Sequence, residues 1–480
     1  MPDIRYVCLS DLHFGAENSL LSRLVDGDVV VDPTTASPVL DGLVAGLTAL
    51  IGANQDRAVK PTLILNGDIL ELALASDNVA MMVFELFLER IFPADREALF
   101  DSTVIYQPGN HDHHLWETAR ERQYGNLLRT LPPDVALPIP WHTTRLDYLR
   151  ETRPVQSELL DNLARRRHSR HDVKFRMSYP NLGLLSEDGE TAVVFHHGHY
   201  LEPIYQLMTS MKDVIFPGRP SPGDVLDIEA ENFAWIDFFW STLGRSGQVG
   251  QDVGVLYDML QSPAAIDRLT GNLATGITSR MAGKGVAKRF GWLLRPLLRA
   301  GLKRAAVRLA ASERTLPTAP LSPKAEAGLM DYMSGPLINQ LRRESRAPDG
   351  RLPRQVKLVF GHTHKPFLSS RDVPGLAEPV RIFNTGGWVV DTHKVEPCHG
   401  ANVVLVDAAL EVVCLRMYNQ GSYQVRLDDS LPVEQGPFYR RVSSLIDAAE
   451  EPWAGFSAAV ALQVAERERA LDTIIANAWT

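Results

Sequence analysis

Residues 102–114 read Ser-Thr-Val-Ile-Tyr-Gln-Pro-Gly-Asn-His-Asp-His-His, and the order of residue types in that stretch decides the fold class. A β-rich run, Ser102 to Tyr106, is closed by Pro108-Gly109 and followed at once by ligand-type side chains. The same plan recurs along the chain. Arg5 to Leu9 precedes Asp11 and His13, Thr62 to Leu65 precedes Asn66-Gly67-Asp68, Ala192 to Phe195 precedes His196, His197 and His199, and Val356 to Phe360 precedes His362 and His364. Parallel and mixed sheets present the residues that follow their strands at the carboxyl edge, where open α/β folds build their sites. With helical spacing over Leu40 to Gly52 between two of these runs, the sequence predicts an α/β fold.

Working outward, Arg381 to Phe383, Val403 to Val406 and Val412 to Leu415 follow Val356 to Phe360 without long intervening helices, which predicts hairpins or a meander at that end. Between Tyr200 and Arg354 the character changes to helix. An aromatic group (Phe233, Trp235, Phe238, Phe239, Trp240) is followed by a long basic stretch and by a helix near Ala325 to Arg343. The tail from Pro432 is helical by spacing over Phe438 to Ala449 and Ser457 to Ala476. The expected organisation is a discontinuous core over 1–200 and 351–430, a helical insertion over 201–350 and a helical extension over 431–480.

Composition narrows the class. Over 480 residues, 58 acidic against 49 basic residues give a net charge of −9, with 45% hydrophobic and 22% charged content, so disorder, collagen and coiled coil are excluded as the main architecture. The apolar run Val79 to Leu88 is broken by Glu85 and falls short of the ~18 residues a spanning helix needs. Met1 to Phe14 has neither a basic n-region nor a cleavage site, so the chain is expected in the cytoplasm. Cys8, Cys398 and Cys414 are too few and scattered for a disulfide framework and are read as reduced thiols.

Nine of the 14 histidines fall in four places, each just after a predicted strand and accompanied by Asp11, Asp68, Asn110 and Asp112. Neutral imidazole together with carboxylate suits manganese, iron or zinc, whereas magnesium and calcium prefer all-oxygen cages. The donors outnumber what one ion can use. Two ions about 3.5–4 Å apart, bridged by a carboxylate and a hydroxide, clamp the attacking and leaving oxygens of an in-line displacement. Phosphoester hydrolysis is the chemistry such a centre serves best.

Asp11-Leu12-His13, Gly67-Asp68, Gly109-Asn110-His111-Asp112, His197-Gly198-His199 and Gly361-His362-Thr363-His364 resemble, in order, the five motifs of the calcineurin-like metallophosphoesterases. The resemblance covers residues 1 to about 200 and about 355 to 415. It implies a two-sheet β-sandwich flanked by helices, here with a large helical insertion and a helical tail. It also implies two divalent ions, manganese expected, with iron or zinc as alternatives. Asp11, His13, Asp68 and His364 would hold one ion, and Asp68 as the bridge, Asn110, His197 and His362 the other. His111, oriented by Asp112, would face the scissile phosphate and protonate the leaving oxygen or stabilise charge in the transition state. Gly67-Asp68-Ile69-Leu70-Glu71 and His362-Thr363-His364-Lys365-Pro366 are nearest to the UDP-diacylglucosamine pyrophosphohydrolase branch. That branch usually carries Arg at the place of His111 and Asp at the place of His199, on shorter chains.

Other residues carry plainer readings. Alternation puts His196 on the face opposite His197, so His196 is expected to be a packed, hydrogen-bonded histidine, while His199 is a candidate phosphate contact with solvent exposure as the alternative. His113 and His114 are read as surface or packing residues with substrate contact as the alternative, His393 and His399 as surface or packing residues, and the aromatic group Phe233 to Trp240 as a packed core with a ligand pocket as the alternative. Arg280 to Arg314 holds ten basic residues and one acidic, a local +9 that leaves −18 on the rest. Lys288, Arg295, Arg299 and Lys303 share one helical stripe there, readable as a solvated face or as an interfacial helix on an anionic membrane surface, with a nucleic-acid groove the weakest of the three. The leading expectation is a dinuclear-metal phosphoester or pyrophosphate hydrolase acting on a phosphorylated small molecule or lipid-linked substrate, peripheral at the membrane if the interfacial reading holds. The alternatives are a catalytically silent scaffold on the same fold and a nucleotide or nucleic-acid phosphodiesterase.

Overall fold

Strands β1 (Ile4–Leu9), β4 (Thr62–Asn66) and β5 (Thr103–Gln107) are apolar on both faces, and the fold follows from what covers each. The computed structural model describes residues 2–26, 28–167, 171–242, 319–344, 351–392, 394–429, 431 and 436–477. The larger sheet has seven strands in the order β14 (Arg426–Leu427), β13 (Val412–Asn419), β12 (Gly400–Asp407), β1, β4, β5 and β6 (Lys174–Met177). From β1 to β6 the neighbours are parallel, and β12 joins β1 antiparallel. The smaller sheet is ordered β10 (Phe367–Arg371), β11 (Val380–Asn384), β9 (Gln355–Phe360), β8 (Thr191–His196) and β7 (Asn181–Leu185), with β11, β9 and β8 mutually parallel. A two-stranded ribbon, β2 (Arg23–Leu24) and β3 (Val31–Asp32), stands apart.

Side-chain alternation sorts the core into layers. Cys8, Ile64 and Ile105 of the larger sheet share one buried cluster with Val193, Phe195, Val359 and Phe383 of the smaller, so the two sheets pack face to face. Val7, Leu9, Leu63, Leu65 and Tyr106 point the other way, into helices α1 (Pro38–Gly52) and α2 (Asp77–Ile91) and into the starts of α3 (His114–Leu128) and α4 (Glu158–Arg167). Ala192, Val194, Val356 and Leu358 form the outer face of the smaller sheet. Against that face lie α6 (Val225–Ile236), preceded by α5 (Leu207–Ile215), and the helices Pro323–Tyr332 and Ile338–Glu344. The protein is thus a mixed α/β fold, two mixed sheets flanked by helices. Among the described residues no helix is long and apolar enough to cross a membrane.

Three expectations are refined. β12 and β13 form the expected hairpin, but β9 and β11 are parallel neighbours, and the chain changes sheets between β11 and β12. Gly386 makes that passage (φ +67°), where a Cβ would stand 2.1 Å from the Gly400 carbonyl. Apolar runs announce strands without saying which sheet receives them. The helix expected over Ala325 to Arg343 is interrupted by a π-helical turn, Met333–Leu337, because Pro336 has no N–H to donate. Within the aromatic group, Trp235 and Trp240 pack as expected while Phe238 is 60% exposed. Arg280 to Arg314, with Lys288, Arg295, Arg299 and Lys303, lies outside the described residues, as does His393.

The tail is bound closely to the core. Helix Trp453–Asn477 lies on α1 with Trp453, Phe456, Val460 and Val464 buried. Gly46 permits the approach: a Cβ there would stand 2.6 Å from the Trp453 ring. Arg467 is fully buried and donates to the Ser19 and Ser22 carbonyls, tying this helix to the loop that leaves β1.

Candidate metal centre

Asp11, His13, Asp68, His362 and His364 all adopt left-handed backbone, with φ of 52°, 46°, 50°, 68° and 56°. Leu410 is the other non-glycine residue with positive φ among the described residues. The conformation costs roughly 1–2 kcal/mol per residue and persists where surrounding bonds over-determine it. Here Asp11 and His13 donate their N–H groups to Gly67 and Asp68 (2.9 and 3.0 Å), and His362 N–H donates to Asp11 Oδ1 (2.9 Å). The loops after β1, β4 and β9 therefore hold one another, which brings the carboxyl edges of both sheets to one place.

Three groups of ligand-type side chains meet there, one of them His13, Glu71 and His111, the other two built on Asp11 and Asp68. In the first of those two, Asp11, His13 and His364 converge, with His13 Nε2 3.3 Å from His364 Nε2 and His364 Nε2 3.4 Å from Asp11 Oδ1. In the other, Asp68, His197 and His362 converge: His197 Nε2 lies 3.2 Å from Asp68 Oδ2, 3.1 Å from Asn110 Oδ1 and 3.3 Å from His362 Nδ1. Asp68 Oδ2 is also 3.8 Å from His13 Nε2, which places this carboxylate between the groups. All of these side chains are buried.

The outward nitrogens explain the inward ones. His13 Nδ1 lies 2.8 Å from Glu71 Oε2, His362 Nε2 lies 2.9 Å from Glu202 Oε1, His364 Nδ1 meets Asp391, and His197 Nδ1 faces the Asn66 carbonyl at 3.4 Å. Carboxylates and carbonyls only accept, so the rings must carry protons on those nitrogens. With a cation bound, each ring so held would turn the lone pair of its other nitrogen inward. Lone pairs spaced about 3.3 Å apart repel unless a cation lies between them, and donors bound tetrahedrally at about 2.1 Å lie at about that spacing. These buried His, Asp and Glu groups can hold metal ions.

His111, in the group with His13 and Glu71, stands at the edge of the other two. Its N–H donates to Asp68 Oδ1 (2.8 Å), its Nδ1 lies 2.8 Å from Glu71 Oε1, and its Nε2 lies 4.0 Å from Asp68 Oδ2. The carboxylate that holds its ring is therefore Glu71, a correction to the expectation that Asp112 orients it. Asp112 instead ties the loop together, accepting from Gly109 N–H, Ile69 N–H and the Tyr106 hydroxyl at 2.6, 2.9 and 2.6 Å. The reason is direction: Asp112 points back toward β5 while the His111 ring points across to the loop after β4.

The charges follow the geometry. Burial would raise Asp68 and Glu71, but the nearby imidazoles, His197 foremost for Asp68 and His111 for Glu71, hold both below the usual carboxylate range. Burial raises Asp112, with the charge of Asp68 adding to it. His197 would be lowered by burial, yet Asp68, Asp11 and Asp112 pull it up to about 9. The cluster attracts positive charge.

His199 does not reach the surface. It is fully buried, its ring 4.3 Å from Tyr200 and its Nε2 3.4 Å from the Tyr179 hydroxyl, and burial pushes its pKa well down. That removes the exposed alternative. His196 packs as expected, 4.7 Å from the Tyr332 ring, but its buried Nε2 has no hydrogen-bond partner among the described residues, because the surrounding side chains are aromatic rings. His113 lies against Tyr179, and His114 meets Asp237 at 3.1 Å. Sequence reasoning missed the holding roles of Glu71, Glu202 and Asp391. Glu71 and Glu202 each stand three residues after the end of a motif and were findable as nearby acids, whereas Asp391 is 27 residues from His364. The chain matches no family model, and no curated protein sequence matches it.

Proposed function

We propose that this protein is a dinuclear-metal hydrolase of phosphoester or pyrophosphate bonds, built as the resemblance to the calcineurin-like metallophosphoesterases implies. One observation carries the reading: four buried imidazoles are each held from outside by an oxygen acceptor and turn their other nitrogen toward a centre shared by Asp11, Asp68 and Asn110. Asp11, His13, His364 and Asp68 would hold one ion, and Asp68, Asn110, His197 and His362 the other, with manganese the expected metal and iron or zinc the alternatives. Such ions, when bound, polarise the phosphoryl oxygens and lower the pKa of water.

The chain's own residues do the rest. Asp112 fixes the loop that carries Asn110 and His111. Glu71 engages His111 Nδ1, so Nε2, 4.0 Å from Asp68 Oδ2, is the nitrogen that would give a proton to the leaving oxygen or stabilise charge in the transition state. The proposed substrates are a phosphorylated small molecule or a lipid-linked phosphoester. An anionic membrane surface rests on the basic stretch Arg280 to Arg314 alone.

Elemental analysis after manganese loading, paired with turnover of aryl phosphomonoesters, phosphodiesters and nucleoside-diphosphate lipids, tests the reading. Close to two ions per chain with hydrolysis of at least one ester class is the expected result. Two ions without turnover of any ester would remove the hydrolase, and less than one ion per chain without turnover would sink the dinuclear reading and favour the scaffold that keeps the fold without its metals.

A further inference from the structure

His362 differs from the other inward-facing imidazoles in two respects. It turns Nδ1 inward, where His13, His197 and His364 turn Nε2. Its outer nitrogen is held by Glu202, which belongs to the insertion, whereas Glu71, Asp391 and Asn66 lie in loops and strand ends of the two sheets. Glu202 sits in the turn between two short 3-10 segments, His199–Leu201 and Pro203–Gln206. That turn is clamped from above by helix Pro323–Tyr332, where Gly328 lies so close to it that a Cβ would stand 2.3 Å from the Leu201 carbonyl. Three residues on, the Tyr205 ring stands perpendicular to His362 at 5.1 Å. The insertion grips the neighbouring loop as well: Asp237 faces His114, and Ser241 Oγ accepts the His114 N–H at 2.9 Å.

We propose that Glu202 is a positioning residue through which the insertion completes one half of the metal centre: its carboxylate fixes the proton on His362 Nε2 and so presents Nδ1 to the ion held with Asp68 and His197. The inference rests on the dinuclear reading and goes beyond it, because it makes occupancy of one ion site, and not of the other, depend on the docking of the insertion. A carboxylate behind a ligand imidazole orients the ring and raises its basicity, and its loss typically costs 10- to 100-fold in metal affinity. Asp391 serves the opposite site by the same logic, from the core.

The test is manganese and zinc titration of the metal-free full-length protein by calorimetry, with Glu202→Ala, Glu202→Gln, Gly328→Ala and Asp391→Ala alongside wild type. Glu202→Ala should weaken one of two binding steps about 10- to 100-fold and leave the other unchanged. Gln keeps an acceptor oxygen facing Nε2, so Glu202→Gln should recover most of the loss. Gly328→Ala, which pushes the turn off its helix, should weaken the same step as Glu202→Ala, and Asp391→Ala the other one. Should Glu202→Ala fail to fold, Glu202→Asp withdraws the carboxylate by one methylene and should show the same selective loss. Two unchanged steps in the Glu202 variants, with only a lower melting temperature of the metal-free protein, would overturn the proposal while leaving the dinuclear reading intact. Wild type binding no ion would overturn both.

Discussion

His13, His197, His362 and His364 are at most 2% exposed, and so are His113, His196 and His199 a few ångströms away, yet the two groups do different things. In the first, every ring has an oxygen acceptor behind it, and the carboxylates in front pull His197 up to about 9. In the second, the surroundings are mainly rings, with the Asp237 carboxylate Oδ1 3.6 Å from His113 Nδ1. His196 lies on Tyr332, His199 on Tyr200 and His113 on Tyr179, and burial pushes His196 and His199 well below the ordinary histidine value. Burial is common to both groups and so decides nothing. The partner of the outer nitrogen decides whether a buried histidine becomes a donor to a cation or part of an aromatic core.

The strongest way to break that contrast is Asp68→Ala, which removes the carboxylate lying between the two donor groups. Both metal steps should weaken, and activity should fall by well over about 10²-fold, because the change deletes a donor and not merely its support. Activity within a factor of ten of wild type would show that Asp68 is not shared. His111→Ala comes next. Turnover should drop by about 10²- to 10⁴-fold at unchanged metal content, with partial recovery on a nitrophenyl ester whose leaving group needs no proton. A parallel fall in metal content would make His111 a ligand. Glu71→Gln should have a smaller and mixed effect, about 10-fold or more, since one carboxylate serves both His13 and His111. Losses confined to metal affinity, or confined to turnover, would show that only one of those two contacts matters.

Much of this was legible in the sequence because strand ends and ligand types coincide. Each short apolar run ending in Gly, Asn or Pro did become a strand of one of the two sheets, and Asp11, Asp68, His197 and His362 do converge at their carboxyl edges. What the sequence hid was direction. Asp112 is adjacent to His111 and so looked like its partner, but adjacent side chains on a loop rarely face each other, and Asp112 turns to the Tyr106 hydroxyl instead. Solvent exposure stayed open for His199 because its cage is closed by Tyr179 from another strand end, while Tyr200 and Tyr205, although near in sequence, do not announce which way their rings turn. Asp391 could not be paired with His364 without knowing that the chain changes sheets between β11 and β12.

The smallest effect is expected on the aromatic side, where the contrast can be sharpened through a carboxyl and not a histidine. Glu229 on α6 is fully buried near the Tyr179 and Tyr200 hydroxyls, though neither aligns as a formed hydrogen bond. Burial raises its pKa from an ordinary 4.5 to about 8, against the opposing pull of the two hydroxyls, whereas Glu71, equally buried but facing two imidazoles, moves down. Between pH 4.5 and 8 the folded protein therefore keeps a proton that the unfolded chain has released. Stability contributed by this group must fall as pH rises through that window and level off above it. Glu229→Gln removes the titration. The variant should match wild type in urea denaturation near pH 4.5 and exceed it by about 5 kcal/mol at pH 9, with metal content unaffected. Parallel stability curves for the two proteins across that range would mean that Glu229 is ionised in the folded state, and that the aromatic side is more polar than its rings suggest.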